Sequence, residues 1–314
     1  MTTELVDAIE GLIEDYQDYN SSFVKVYNNF NNLDKLVKNN RPAIFKSVAN
    51  DWEATKSWNK EYLSHKVTSE IEIAVTPNGN ADALVEHHGV LHFLEPDTKS
   101  MRMDNFLNDI SATPNRVLYL QSQNGNLSYP EYQGLAEDVP QSITEMDDVM
   151  ENKPDAVNIW IGGPESVTSL HSDPYENIYV VVKGSKTFNL YPPTERYCLN
   201  CKKCKYPHGH YICDNNVEFT VKPSGETISW TPIDPNKSAE ENSKHSPTYS
   251  KSRCLTVTVD EGDALYLPSG WFHHVSQKGS PCIAVNYWYD QDYSGEKFVM
   301  RQFYNRILEM LYNK

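Results

Sequence analysis

The sequence has 314 residues, 39% hydrophobic and 23% charged, with a formal net charge of −15. That balance suits a globular chain with a sizeable core, and its acidity argues against nucleic-acid binding through the phosphate backbone, which demands a basic face. No apolar run approaches the roughly 20 residues that span a bilayer, so no membrane segment is expected. In chain order, Leu5, Ile9, Leu12, Ile13 and Tyr16 recur at helical spacing and predict an amphipathic first helix. Its acidic, periodic character is unlike a secretory leader; with six cysteines, this favours reduced thiols and a cytoplasmic location, the nucleus remaining open. "RPAIFK" reads as a strand, "WEATKSWNKEYLSHKV" as a helix, and "SEIEIAVTP" as a half-buried strand before an "NGN" turn. "RVLYLQSQ" is another strand, followed by a long loop from about 124 to 150. From "DAVNIWIGG" onward β-signals dominate. "NIYVVVKGSKTFNLYPP" reads as a hairpin turning at Lys183-Gly184-Ser185, "RCLTVTVDEGDALYLP" as a strand pair, and "CIAVNYWYD" as a further strand. "EKFVMRQFYNRILEMLY" returns to helical period.

Two segments carry candidate chemistry. In "TSLHSDPYEN", His171 and Asp173 stand two apart, which puts them on one face of an extended chain. An imidazole and a carboxylate so placed are two thirds of a 2-His-1-carboxylate iron site, although a polar surface turn gives the same pattern. About a hundred residues on, "EGDALYLPSGWFHHVSQ" supplies His273 and His274, which point to opposite faces, so one of them can join the pair. Three ligands leave positions open for a co-substrate and O₂, whereas a closed structural zinc site needs a fourth protein ligand.

His171-Ser172-Asp173, "LPSGWFHHV" and "VNYWYD" resemble the double-stranded β-helix of the JmjC-domain Fe(II)- and 2-oxoglutarate-dependent oxygenases, and the likeness extends over nearly the whole chain through "YLQ", "DAVNIWIG", "FNLYPP" and "WTPIDP". The resemblance implies a mainly β fold with flanking helices: one jelly-roll, cupin-like JmjC domain with an N-terminal extension to about 115, a core at about 116–290 and a C-terminal helix at about 291–314. It places the iron ligands on His171, Asp173 and His273, with His274 packed behind. The 2-oxoglutarate contacts fall on Tyr119, Thr168, Asn177, Lys186 and Asn286. From the residues alone Lys186 would be a solvated hairpin lysine; a buried co-substrate carboxylate, however, needs such a charge-assisted partner. Tyr287 and Trp288 read either as pocket wall or as core.

The activity so implied is protein hydroxylation with formation of succinate and CO₂. The family's small hydroxylases further suggest C-3 of lysine in developmentally regulated GTP-binding proteins, a basic partner that an acidic chain would attract. The rival readings are a histone lysine demethylase using the same iron and a non-catalytic cupin-fold binding module. The apolar stripe Phe298, Phe303, Ile307, Leu308 and Leu311 suggests a homodimer seam or packing on the chain's own barrel. Finally, "CLNCKKCKYPHGHYIC" spaces Cys198, Cys201, Cys204 and Cys213, with His208 and His210 among them, in a pattern able to hold zinc; free thiols in an exposed loop are the plainer reading.

Overall fold

The computed structural model describes residues 2–111, 115–200, 205–215 and 218–312. In chain order the first strands are β1 (Lys25–Tyr27), β2 (Ala43–Phe45), β3 (Glu70–Thr76), β4 (Asn80–Ala81), β5 (Ala83–His87) and β6 (Val90–Glu95). Next come β7 (Asp97–Arg102), β8 (Val117–Leu120), β9 (Ala156–Gly162), β10 (Val167–Ser172) and β11 (Tyr175–Tyr191). The last are β12 (Lys205–Asp214), β13 (Glu218–Ser229), β14 (Leu255–Asp260), β15 (Ala264–Leu267) and β16 (Phe272–Asp290). Helices open and close the described chain at Thr2–Tyr19 and Glu296–Tyr312.

The architecture is that of a cupin-like jelly roll, and β11 and β16 form its spine. They pair antiparallel from Tyr175↔Asp290 to Tyr191↔Phe272, with register shifts around Lys183. Beyond that bend each takes a different outer neighbour. The N-terminal half of β11 pairs with β15 and its C-terminal half with β14. The N-terminal half of β16 pairs with β10 and its C-terminal half with β9. Two facing sheets thus share two long strands. One core cluster, including Tyr119, Trp160, Tyr179, Phe188, Leu190 and Val275, collects residues from both halves and fills the space between them. A larger cluster takes Ile178, Val180, Val285 and Tyr287 from alternate positions and covers the outside with Trp58, Phe106 and other N-terminal residues. A smaller sheet, β13-β12-β6-β5, stands apart from this set.

Several elements differ from expectation. Lys183-Gly184-Ser185 does not reverse the chain: β11 is one strand of 17 residues, bulged at this point. Gly184 has φ +77, and a Cβ there would lie 2.5 Å from the Lys278 carbonyl oxygen, so glycine serves a close strand crossing. A turn and a bulge both use positive φ, which is why the local chemistry misleads. The single helix expected at 52–67 is two, Glu53–Ser57 and Lys60–Lys66. Trp58 is drawn into the core with its indole N–H on Asp138, and Asn59 caps the second helix by accepting from Tyr62 N. The loop at 124–150 contains short helices, among them Thr144–Met150. The segment after "YPP" is largely the β12–β13 hairpin rather than an exposed loop.

The last helix docks on the barrel through Lys297, which donates to the buried Glu176; that carboxylate also accepts from Tyr266 Oη and from Ser269 N and Oγ. Arg301 Nη1 donates to the Ser269 carbonyl oxygen. The turn leading into His273 is therefore braced from behind.

Candidate metal centre

His171 and His273 face one another because β10 and β16 pair antiparallel with His171↔His273 in register. Directly opposed side chains on such a pair project together, and the two rings lie 4.2 Å apart between centroids. Asp173 follows β10 by one residue, and its carbonyl oxygen accepts from Gly270 N at 2.8 Å, tying it to the turn before β16. Gly270 has φ +78, and a Cβ there would meet Arg301 at 2.5 Å, so this turn also requires glycine.

Nε2 of His171 and Nε2 of His273 each lie 3.6 Å from Asp173 Oδ2. Their Nδ1 atoms face the carbonyl oxygens of Ser169 (2.8 Å) and Trp271 (3.1 Å). A carbonyl can only accept, so each Nδ1 carries the proton and each Nε2 presents a lone pair. Burial, with His171 beside it, lowers His273 to about 4. Burial alone would raise Asp173, but the two imidazoles outweigh it and hold the carboxyl at about 2; Asp173 in turn raises His171 against its burial. Two lone pairs and an anion converge on one point, an arrangement that calls for a cation. This donor set fits Fe(II) with open positions. His274 turns away, with its ring nitrogens near the amides of Asn189 and Asn236.

The other expected site residues gather on the barrel side of this centre. His273, Val275 and Gln277 alternate along β16 and share a face; Leu190, Phe188 and Lys186 oppose them on β11. Lys186 is therefore on the His273 side, roughly 13 Å further along the strands at ~3.3 Å per residue. It is 1% exposed, with its ammonium on Tyr119 Oη (3.2 Å) and Gln277 Oε1 (2.5 Å). Among the described residues no carboxylate lies within ion-pair distance of it. A buried ammonium held by neutral groups has room for an anionic ligand. Trp160 Nε1 donates to Asn286 Oδ1 and Asn286 Nδ2 to Asn177 Oδ1, a buried chain on the same interior. Thr168 lines the adjoining cleft. Tyr287 faces the other way, into the outer core, with its hydroxyl on the Pro140 carbonyl; Trp288 stacks on Tyr175 and keeps a buried indole N–H without a partner.

A cleft of about 410 Å³ opens over His171 and Asp173, walled by Phe93, Trp230, Asp82 and Glu95. Of these, Trp230 opens the "WTPIDP" motif without being read there as a site residue, and Phe93, Asp82, Glu95 and Gln277 are not singled out by the sequence. Trp230 leaves a signal through that motif, and Gln277 as a polar residue at an inward β-position. Burial, then Glu95 nearby, raises Asp82 to about 6.

The four-cysteine zinc pattern is not assembled as its spacing suggests. Cys198 packs with Ile9, Ile13 and Leu308, whereas Cys213 belongs to the large outer core, so the two do not meet at one ion. Inward-facing positions on separate elements claim both thiols. Cys201 and Cys204 lie outside the described residues.

A family model described as a cupin-like domain matches residues 28–295. The human bifunctional peptidase and (3S)-lysyl hydroxylase JMJD7 is 36% identical over 81% of this chain and 78% of its own length. JmjC domain-containing protein E of Dictyostelium discoideum is 32% identical, covering 86% of this chain and 83% of its own. Lysine-specific demethylase JMJ32 of Arabidopsis thaliana is 33% identical over 89% of this chain and 83% of its own.

Proposed function

The chain belongs to the cupin-like JmjC family of oxygenases, and from that membership we propose that it hydroxylates C-3 of a lysyl side chain in a basic protein. Developmentally regulated GTP-binding proteins are the proposed substrates, met in the cytoplasm and nucleus by a homodimer. The observation that carries the oxygenase reading is Lys186, a buried ammonium without a carboxylate, on the same interior face as His273.

His171, Asp173 and His273 would hold Fe(II), and Lys186 with Tyr119 and Thr168 would receive the distal carboxylate of 2-oxoglutarate. Bound together, these supply the oxidative decarboxylation of the 2-oxo acid by O₂ that drives C–H hydroxylation. The chain's own part is positional. The Ser169 and Trp271 carbonyls hold a proton on each Nδ1 and turn each Nε2 toward the site. Phe93 and Trp230, with ring centroids 4.6 Å apart, give the cleft an apolar wall that excludes water from the target carbon.

The lysine preference rests on the relative's printed activity and on Asp82. This carboxylate lines the cleft, is largely desolvated, and repels Glu95, so an arriving ammonium relieves it. An acid on the wall grips the ammonium and leaves a stem carbon nearer the metal. The demethylase name of the Arabidopsis relative supports a second reading, in which an N-methyl carbon occupies that position.

The deciding experiment incubates the protein, Fe(II) and 2-oxoglutarate with such a GTPase and, separately, with methyl-lysine histone peptides, followed by intact mass and fragmentation. One added oxygen on a lysine carbon is the expected result. Loss of a methyl from the peptides with no oxidation of the GTPase would establish the demethylase reading instead.

A further inference from the structure

Among the described residues a second group of metal-type donors lies outside this centre, on the small sheet. In the parallel pairing of β12 with β6, His208 registers with Phe93 and His210 with Glu95. His208 and His210 stand two apart on one strand, so both project to the face that carries Glu95. His208 Nε2 is 3.2 Å from Glu95 Oε1 and His210 Nδ1 is 2.9 Å from Glu95 Oε2, so each imidazole addresses its own carboxylate oxygen. One ligand atom from each of the three residues falls within 4.8 Å of the others.

Ser224 favours one tautomer of His208. The Ser224 hydroxyl donates to the His208 carbonyl oxygen at 3.2 Å and accepts from Glu226 N at 3.1 Å. With the hydroxyl proton directed to that carbonyl, its remaining lone pair faces His208 Nδ1 at 2.9 Å, which makes Nδ1 the donor. In a neutral ring Nε2 then carries a lone pair, and that buried atom makes no hydrogen bond although a carboxylate oxygen stands beside it. Two acceptors so placed repel unless a proton or a metal cation lies between them. A ring nitrogen fixed from behind by a hydroxyl is also the usual support of a metal-bound histidine.

We propose that Glu95, His208 and His210 bind a divalent transition ion, zinc by preference, as a second metal site on the wall of the active-site cleft. Two imidazoles and one carboxylate are a three-ligand zinc set that leaves a fourth position open. Ligand atoms around tetrahedral zinc sit ~3.4 Å apart for bonds of ~2.1 Å; the His208 contact to Glu95 Oε1 at 3.2 Å is near that spacing, and the His210 contact to Oε2 at 2.9 Å is shorter. Glu95 lines the same cleft as His171 and Asp173. Trp230 links the two groups: its ring is 4.6 Å from Phe93 and stacks near-parallel on His171 at 6.4 Å. An ion at Glu95 also offsets the repulsion between Glu95 and Asp82.

The test is metal analysis of full-length protein purified without chelators, joined to zinc X-ray absorption. It uses wild type, Asp173→Ala, His208→Ala and Glu95→Gln. About one zinc per chain is expected in wild type and Asp173→Ala, with a nitrogen and oxygen shell, falling at least ~10-fold in the other two. Glu95 is partly exposed, so Glu95→Gln is expected to keep the fold, and circular dichroism checks it. For chelator-stripped wild type, added zinc alone should raise the melting temperature, and should not do so for Glu95→Gln. Zinc absent from wild type, retained in folded Glu95→Gln, lost in Asp173→Ala, or bound by sulfur would each overturn the site.

Discussion

A buried ammonium without a counter-ion costs the empty protein stability and repays it only when an anion arrives. Lys186→Met, similar in volume and uncharged, is therefore expected to melt higher than wild type in the absence of co-substrate. Loss of the charge-assisted contact costs roughly 2–5 kcal/mol, so the apparent KM for 2-oxoglutarate should rise by about 30-fold or more. A lysine kept only for packing with Tyr119 and Gln277 would instead lower the melting point on replacement and leave the KM alone; calorimetry and uncoupled turnover separate the two. At this scale the His171, Asp173 and His273 grouping is legible in the sequence and the surrounding cleft is not. His171 and Asp173 announce themselves because strand geometry fixes the face of residues two apart. The Lys186–Gln277 contact joins positions 91 apart, and Glu95 on β6, Asp82 between β4 and β5, and Trp230 just after β13 reach the cleft through sheet pairings that no local pattern reveals.

Elements are held to the barrel by single buried groups, and Glu195 is one with a pH signature. It lies in the short helix Pro193–Tyr197 and is 1% exposed. It accepts from Gln17 on the first helix (2.8 Å) and from Arg253 N just before β14 (2.9 Å). Burial outweighs these donors and raises its carboxyl from 4.5 to about 7. A folded-state value above the unfolded one means that the native state binds the proton more tightly. Its contribution is then fully present below about 4.5 and is lost as pH rises through about 7. At ~1.4 kcal/mol per unit, the loss from this group between pH 5 and 8 is about 2–3 kcal/mol. Glu195→Gln should gain on wild type by that amount over the same interval in urea midpoints. Parallel pH profiles for the two proteins would show that Glu195 does not titrate here. Strand existence was easily read at this scale because "YVVV" and "CIAV" are unmistakable, but strand extent was not. Gly184 and Trp58 act through tertiary contact, one letting a strand bend without reversing and the other breaking a helix to reach Asp138.

At the scale of the molecule two surfaces compete for explanation, a net charge of −15 and an exposed apolar strip on the last helix. That helix turns Leu308 into a cluster with Ile9, Ile13 and Cys198, with Ile307 and Leu311 packed against it. Part of the stripe seen in the sequence is thus used within the chain. Val299, Met300, Phe303 and Met310 remain outside, each more than half exposed. Residues 299, 303 and 310 share one face, the apolar strip that the proposed homodimer would cover. Under the proposed homodimer, two copies of a strongly acidic chain must meet against their own repulsion, so the contact must be apolar. Screening should then strengthen it, because the Debye length shrinks from about 10 Å at 0.1 M to about 3 Å at 1 M. Capture of a basic substrate should respond in the opposite sense. Sedimentation velocity of the wild type is expected to show a dimer whose dissociation constant falls as salt rises, while the substrate KM increases over the same range. Phe303→Asp places a charge at the centre of the strip, away from Leu308 and the metal centre. It should give a monomer that still consumes 2-oxoglutarate in the absence of protein substrate. A Phe303→Asp variant that remains dimeric would remove this face from the interface, and a wild type monomeric at every salt concentration would remove the dimer.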